Sequence, residues 1–443
     1  MKTYSRNRSR RTYGVLLLVL ALFIAACGGN GGGDDQAAEG DTQAPETTEA
    51  PQTTEAEPTD APESTSGETE GPTTTGAEST EGASAESEPV VLGGAVDQTA
   101  YLVDFDGPVI TGVELAVQAI NDEGGVLEGR PLEVSFQDMQ ADPQQGVRVV
   151  QRFITEENVT ALVHGFTSAS TRAVQPILSQ NEVPMIAASV LPEDEAFVFT
   201  TIPPAVFETG ARVQYLADQG ISNVGVMHDG TPYNELQLEV LTEGAGEAGL
   251  TIVGTEQHAS DAVDLRPQVT ALLQAGAEAV VKLSAGPTNI VAAQAMSQSN
   301  TDAPLIIGID TLQTHQQAAA AYENYLTVGS GPQVFEALSD DQKSDSLIEF
   351  MELYEESGQT DVDPTYMGRG WDATRILAQA IDAAGSTEGQ AIATALEELE
   401  PFEGASGTYD FTAESHYAFD ENPFHVVRFT DDGSVEIVFT PES

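Results

Sequence analysis

Several apolar runs in this sequence end in residues that can hold a small polar molecule. Ala161–Val163 leads into Gly165-Phe166-Thr167-Ser168-Ala169-Ser170-Thr171, and Asn223–Met227 leads into His228-Asp229-Gly230-Thr231-Pro232-Tyr233. Leu305–Ile309 ends at Asp310, and Val90–Val96 leads towards Tyr101-Leu102-Val103-Asp104-Phe105. Ser168 is placed to cap a helix whose free N–H groups and positive dipole end suit a carboxylate. Taken singly, Ser168 reads equally as a cap, Tyr233 as a core aromatic and Asp310 as a turn residue. Their shared position at strand ends favours a binding site, because ligands of open α/β sheets lie beyond the carboxyl ends of the strands.

Catalysis finds little support. The six histidines, His164, His228, His258, His315, His416 and His425, have no partner at zinc-ligand spacing. There is no G-x-S-x-G elbow and no P-loop. His228-Asp229 beside Tyr233 reads more simply as a polar loop than as an acid/base pair. No enzyme, no metal and no cofactor is expected.

The elements that position these residues alternate. Further apolar runs, at Leu132–Phe136, Met185–Ala187, Thr251–Val253 and Ala279–Leu283, read as strands. Val109, Val113, Val117 and Ile120 form one face of a helix ended by Gly124-Gly125, and Val147, Val150, Phe153 and Ile154 form another after Asp142-Pro143. The alternation predicts an α/β fold of mostly parallel sheets. It pauses at Pro203-Pro204 and begins again at Val206, which predicts two similar Rossmann-like lobes with a cleft between them. After a helical stretch at Trp371–Ala384 come strand-like pieces at Gly407–Phe411, His425–Phe429 and Ser434–Phe439.

The N-terminus predicts export. Lys2, Arg6, Arg8, Arg10 and Arg11 precede the apolar run Gly14–Ala26, which is shorter than the roughly 20 residues a membrane span needs. Ile24-Ala25-Ala26-Cys27 resembles the lipobox of bacterial lipoproteins, which implies a signal peptide over 1–26 and acylation of Cys27. Two or three acyl chains, at about 0.8 kcal/mol per buried CH₂, hold a protein durably on a membrane. Cys27 is the only cysteine, so the mature body has no intramolecular disulfide. Residues 27–88 read as an acidic Thr/Pro/Gly-rich tether, with too little apolar surface to offset the entropy of ordering.

Setting aside the five basic residues of the first 13 and the 16 acidic residues of 28–88 leaves 55 acidic against 11 basic side chains in the body. Such a surface excludes a nucleic-acid partner and adsorption to anionic lipid.

The body resembles a type I periplasmic binding protein of the branched-chain amino-acid (Leu/Ile/Val) binding family, the receptor component of an ABC importer. The resemblance covers nearly all of residues 89–443. It rests on Gly112-Val113-Glu114-Leu115-Ala116-Val117, Ile120-Asn121-Asp122-Glu123-Gly124-Gly125-Val126, Gly129-Arg130-Pro131-Leu132 and Asp138…Asp142-Pro143. Gly165…Ser168-Ala169-Ser170-Thr171, Val183-Pro184-Met185-Ile186, Asp264-Leu265 and Gly370-Trp371-Asp372-Ala373 continue the series in the same order.

The resemblance implies a first lobe over 89–203 and 326–404 and a second over 204–325 and 405–443. Three crossings, near Ile202–Ala205, Tyr325–Gly329 and Glu403–Ser406, would act as a hinge that closes the cleft. It implies an amino-acid ligand, ABC permease subunits as partners, a monomer, and a place on the outer face of the cell membrane held by the lipid anchor. Ser168 matches the serine that bonds the ligand carboxylate, Tyr233 an aromatic that closes over the ligand, and Asp310 the acid, usually Glu, that pairs with its ammonium. Phe105 falls near an aromatic that covers the ligand side chain. Where the family offers a threonine after Pro184-Met185-Ile186, this chain has Ala187-Ala188-Ser189, so Ser189 or the backbone at Ala188 takes that part. An aromatic expected near Gly286-Pro287 is missing. A sensing receptor of the same fold, or a site for an amide, urea, polyol or aromatic acid, remains open.

Overall fold

The computed structural model describes residues 88–190, 196–359, 362–417, 419, 421–430 and 433–442. The expected signal peptide, Cys27 and all but the last residue of the tether lie outside the described residues.

Five strands form the first sheet, in the order β2-β1-β3-β4-β5 and all parallel: β1 (Val90–Val96), β2 (Leu132–Asp138), β3 (Ala161–His164), β4 (Met185–Ala187) and β5 (Val198–Thr200). The second sheet repeats that order with β6 (Asn223–His228), β7 (Thr251–Gln257), β8 (Ala279–Leu283), β9 (Leu305–Ile307) and β10 (Tyr325–Gly329), arranged β7-β6-β8-β9-β10. The short strands β11 (Phe402–Glu403) and β12 (Thr408–Tyr409) pair only with each other. The last two, β13 (His425–Phe429) and β14 (Val435–Phe439), extend the second sheet antiparallel beyond β10. Two lobes of the same winding follow from this, each with its strand order reversing beside its first strand. At such a reversal the helices leave on opposite faces and a crevice opens.

The structure moves two expected boundaries. Tyr325–Gly329 is a strand of the second sheet rather than a crossing, and the chain leaves that lobe only after it. Tyr409, Phe411 and Phe419 pack in the first lobe's core, so the last crossing lies between Phe419 and Phe424 rather than at Glu403–Ser406. Glu403–Ser406 is held to the first lobe by the buried Asp372, whose carboxylate accepts from Ala405 N (2.7 Å), Ser406 N (2.8 Å) and the Tyr409 hydroxyl (2.8 Å).

Helix α1 (Val103–Asp122) begins nearly two turns before its expected apolar face, and α2 (Pro143–Arg152) is capped by Asp142, which accepts from Gln145 N at 2.9 Å. Helix α3 (Ser168–Asn181) follows β3, α4 (Ala205–Asp218) opens the second lobe, and α5 (Pro232–Glu247) follows β6. Next come α6 (Arg266–Gln274), α7 (Thr288–Gln298), α8 (Leu312–Ala321), α9 (Asp345–Ser357), α10 (Pro364–Ala384) and α11 (Gly389–Glu398). The first lobe's closest helix crossing joins α1 to α10. A Cβ on Gly112 would overlap the Met367 carbonyl oxygen, and one on Gly370 the Val109 carbonyl oxygen, so only glycine lets the two backbones meet. No helix among the described residues is long and apolar enough to cross a membrane.

Candidate ligand-binding site

In the first lobe, the loop after β1 is gathered by Asp97, whose carboxylate accepts from Thr99 N (3.3 Å), Ala100 N (2.8 Å) and Leu102 N (2.9 Å). Asp106, wholly buried one turn into α1, accepts from Asp97 N (2.6 Å) and from Phe166 N (2.7 Å) after β3. Burial raises its pKa to about 7 against those bonds, with the Asp97 charge adding to the rise. The tie brings Phe105 and Phe166 into a stack at 4.7 Å, and Tyr366 of α10 meets both rings edge-on at 5.1 and 5.6 Å. Sequence reading singles out Phe105 alone. Phe166 stood in a segment quoted for its serines, and Tyr366, five residues before Trp371 on the same helix, gave no signal of its own.

Ser168 does not cap α3. The extended residue before the helix is Thr167 (φ −79°, ψ 105°), and its hydroxyl accepts from Ser170 N at 3.5 Å. A cap needs that non-helical backbone, and Ser168 already has helical geometry. Ser168 therefore sits half-buried in the first turn, beside N–H groups that precede any intrahelical partner.

Ala188 and Ser189 are fully buried. The Ala188 N–H donates to His164 O (2.8 Å), and the Ser189 carbonyl accepts from the Thr200 hydroxyl (2.6 Å). The backbone N–H of Ala188 is thus committed to holding β4 beside β3.

In the second lobe, the Tyr233 hydroxyl on α5 donates to Glu208 Oε2 (3.3 Å) and accepts from Gln237 Nε2 (2.8 Å). Glu208, on α4, also pairs with Arg212 (3.2 Å), accepts from Gln237 Nε2 (2.6 Å) and receives Ile309 N (3.1 Å). Burial, then the Glu208 charge, pushes the Tyr233 phenol far above its ordinary range, so it stays a neutral donor.

Asp310 lies 3 % exposed, its Oδ2 accepting from Gly286 N (2.7 Å) and Asn289 Nδ2 (2.6 Å) and its Oδ1 from Thr311 N (2.7 Å). Desolvation raises its pKa to about 6, opposed by these bonds and by Lys282. Where the expected aromatic is missing, Gly286 supplies a backbone donor to this carboxylate. Asn289 bridges onward to the buried Lys282 (2.6 Å), which also donates to Thr288 (3.0 Å) and Ser284. Burial lowers the Lys282 pKa to about 7.

The two clusters face each other. Burial drives the Tyr366 phenol of the first lobe well up; Arg369 opposes the rise, and the charges of Asp310 and Glu208 from the second lobe add to it. Beside this meeting point a cavity of ≈ 690 Å³ opens between α1 and α8, lined by Val103, Asp104, Thr311, Leu312 and Asp363 among others. That is the size range of small-ligand pockets. Phe105 packs on Tyr366, whose phenol feels the charges of Asp310 and of Glu208, the partner of Tyr233, while Ser168 stands in the first turn of α3 beyond β3. Among the described residues no group of three or more His, Cys, Asp or Glu side chains could hold a metal ion.

Comparison with known proteins agrees with this architecture. The chain is 25% identical over 335 residues to Leu/Ile/Val-binding protein homolog 2 of Brucella abortus, covering 73% of this chain and 86% of that one. Among solved structures, the leucine binding protein LivK of Thermotoga maritima superposes with a TM-score of 0.68 at 21% identity, over 79% of this chain and 97% of that chain. The substrate-binding protein LivJ of Streptococcus pneumoniae, in complex with isoleucine, gives 0.67 at 20% identity over 80% and 100%. The family described as periplasmic binding protein matches residues 89–434, and the chain belongs to it, with the type I fold of its solved neighbours.

Proposed function

We propose that this protein captures an amino acid outside the cytoplasm by closing its two lobes over it, and delivers it to the permease of an ABC importer. The observation that carries the reading is the polarity of the cleft. N–H donors at the start of α3 and the Ser168 hydroxyl lie on the first lobe, and the buried Asp310 carboxylate lies on the second. A zwitterion taken out of water needs both ends met, because an unpaired buried charge costs several kcal/mol. The first-lobe donors meet its carboxylate without a fixed cation. Asp310 has three N–H donors on two oxygens, which leaves it acceptor capacity for an ammonium group. Phe105, Phe166 and Tyr366 provide the apolar wall, Tyr233 borders the second-lobe side, and Ser189 and Ala188 back the first-lobe edge. The Leu/Ile/Val-binding relatives support the same class of ligand. No step in this reading breaks a covalent bond.

A thermal-shift screen of amino acids, amides, sugars and aromatic acids tests the ligand class, since a ligand at 100 times its Kd adds about 2.7 kcal/mol of stability. Small-angle scattering with the best ligand tests closure. A saturating solute that leaves the radius of gyration of a chain beginning at Glu88 unchanged removes the hinge mechanism. The anchor is tested separately: Cys27→Ser is expected to fold, bind ligand and lose detergent-phase partitioning. Equal partitioning of the two proteins rules the lipid out.

A further inference from the structure

Of the 11 basic residues in the body, three are buried: Arg212, Lys282 and Arg369. Arg212 pairs with Glu208, and Lys282 has three side-chain acceptors and lies in a chain of bonds that reaches Asp310. Arg369 is different. It is 1 % exposed, it donates from one terminal nitrogen to Thr201 O at 3.2 Å, and its Nε–H has no partner. No carboxylate among the described residues comes within ion-pair distance of it. The two acids nearest to it on α10 are already engaged. Asp363 accepts from Leu312 N (2.5 Å) and Thr365 N (2.9 Å), and Asp372 from Ala405, Ser406 and Tyr409.

A guanidinium cannot escape this by losing its proton, as a buried lysine does. The protein therefore carries a fixed positive charge that bonds one carbonyl, lies against the Tyr366 ring and meets the Asp363 charge only beyond ion-pair distance. Its position is what gives the charge a use. Thr201 immediately follows β5 and donates to Ala187 O (3.0 Å), so the guanidinium lies at the carboxyl edge of the first sheet, where the ligand crevice opens. One turn earlier on the same helix, the Tyr366 hydroxyl is also buried and without a partner, and the guanidinium carbon lies 5.6 Å from the centre of that ring. Two unmet donors, one of them charged, thus stand one turn apart on α10.

We infer that Arg369, with the Tyr366 hydroxyl, receives a second oxyanion at the side-chain end of the bound solute, so that the ligand is an acidic amino acid. The inference rests on the amino-acid reading: the α-carboxylate goes to the start of α3 and the ammonium to Asp310, and a further carboxylate neutralises the guanidinium. A neutral aliphatic side chain would leave Arg369 unpaired in the closed state, whereas a carboxylate supplies the bidentate acceptor its geometry fits.

Calorimetric titration of the full-length protein in detergent with glutamate, aspartate, glutamine, leucine and succinate tests this, alongside Arg369→Gln and Arg369→Met. Glutamate or aspartate is expected to bind wild type about 30-fold or more tighter than glutamine or leucine. Arg369→Gln should collapse that ratio towards one, chiefly by weakening the two acids. Ligand-free Arg369→Met should melt no lower than wild type, because it removes a buried charge that no described carboxylate contacts. Wild type that prefers leucine or glutamine to both acids overturns the inference and leaves the amino-acid reading standing. Succinate binding that needs Arg369, with every amino acid inert, overturns the amino-acid reading and leaves the oxyanion site standing. Inertness to all five solutes overturns both. Should the variants fail to fold, the wild-type preference alone decides.

Discussion

The two faces of the cleft stand on sheets wound in the same order, yet their polar groups are finished differently. On the second lobe Glu208, Arg212, Tyr233 and Gln237 bond to one another, with one Arg212 terminal nitrogen left over, and Asp310, Asn289 and Lys282 form a second linked set. On the first lobe the Tyr366 hydroxyl, the Ser170 hydroxyl and Arg369 Nε are buried without partners, and three rings make the wall. One face pairs its acids and bases with each other and holds its shape largely by those bonds. The other carries unmet donors whose cost falls only when something is bound. A repeated fold therefore gives a repeated scaffold, and the division of labour comes from a few side chains at strand ends.

Breaking the paired face should have the largest effect. Glu208→Ala strands the Arg212 guanidinium in the core of the second lobe and removes the tie to Ile309. A loss of about 3–5 kcal/mol in unfolding free energy is expected, read by denaturant titration. A loss below 1 kcal/mol would mean that the second lobe is not held by this network.

Asp310→Asn comes next and sharpens the contrast, because it should leave the ligand-free fold intact while weakening an amino-acid ligand by about 2–5 kcal/mol in calorimetry. The same carboxylate sets a pH dependence. Its pKa is raised to about 6, so the ligand-free native state binds this proton more tightly than the unfolded chain does. Its contribution to stability is present below the ordinary carboxylate range and is lost as pH rises towards 6. Ligand affinity runs the other way, falling by up to about tenfold per pH unit below 6 as the ammonium loses its partner. Asp310→Asn should flatten that branch, and a wild-type affinity unchanged between pH 7 and 5 would sink the pairing.

The smallest effect belongs to the cap. Thr167→Ala should cost about 0.5–1 kcal/mol, the low end for a cap whose bond is 3.5 Å long. Ser168→Ala should cost less stability and more ligand affinity. The reverse ranking in melting experiments would return the cap to Ser168.

Much of the scaffold was legible because buried parallel strands are short apolar runs and the helices between them show a 3.6-residue rhythm. Val90–Val96 and Ala279–Leu283 are strands with those limits. β5 escaped notice because three residues beside a proline turn carry no period, and Tyr325–Gly329 was placed as a crossing by the resemblance rather than by its own pattern. Within the site, Phe105, Tyr233 and Asp310 were visible as residues following strands. Glu208 and Arg212 were not, since an acid and a base four apart on a helix look like any solvent-facing pair, and only the packing of α4 under Gly308 and Ile309 buries them. Arg369 was hidden for a related reason. Nothing in the sequence says which face of α10 turns towards the crossings.

The only tryptophan, Trp371, lies fully buried on α10 in an apolar cluster that takes Ala116 and Phe350 with Val427 of the last antiparallel hairpin. It stands 5.8 Å from the Phe350 ring, with the Arg375 guanidinium 5.3 Å over its face, in a seam where first-lobe helices meet the antiparallel hairpin of the second sheet. The protein's intrinsic ultraviolet emission is therefore a gauge of its pivot. Its colour reports the dryness of that seam and its lifetime the nearness of a charged quencher, while the solute bound in the cleft stays out of its sight.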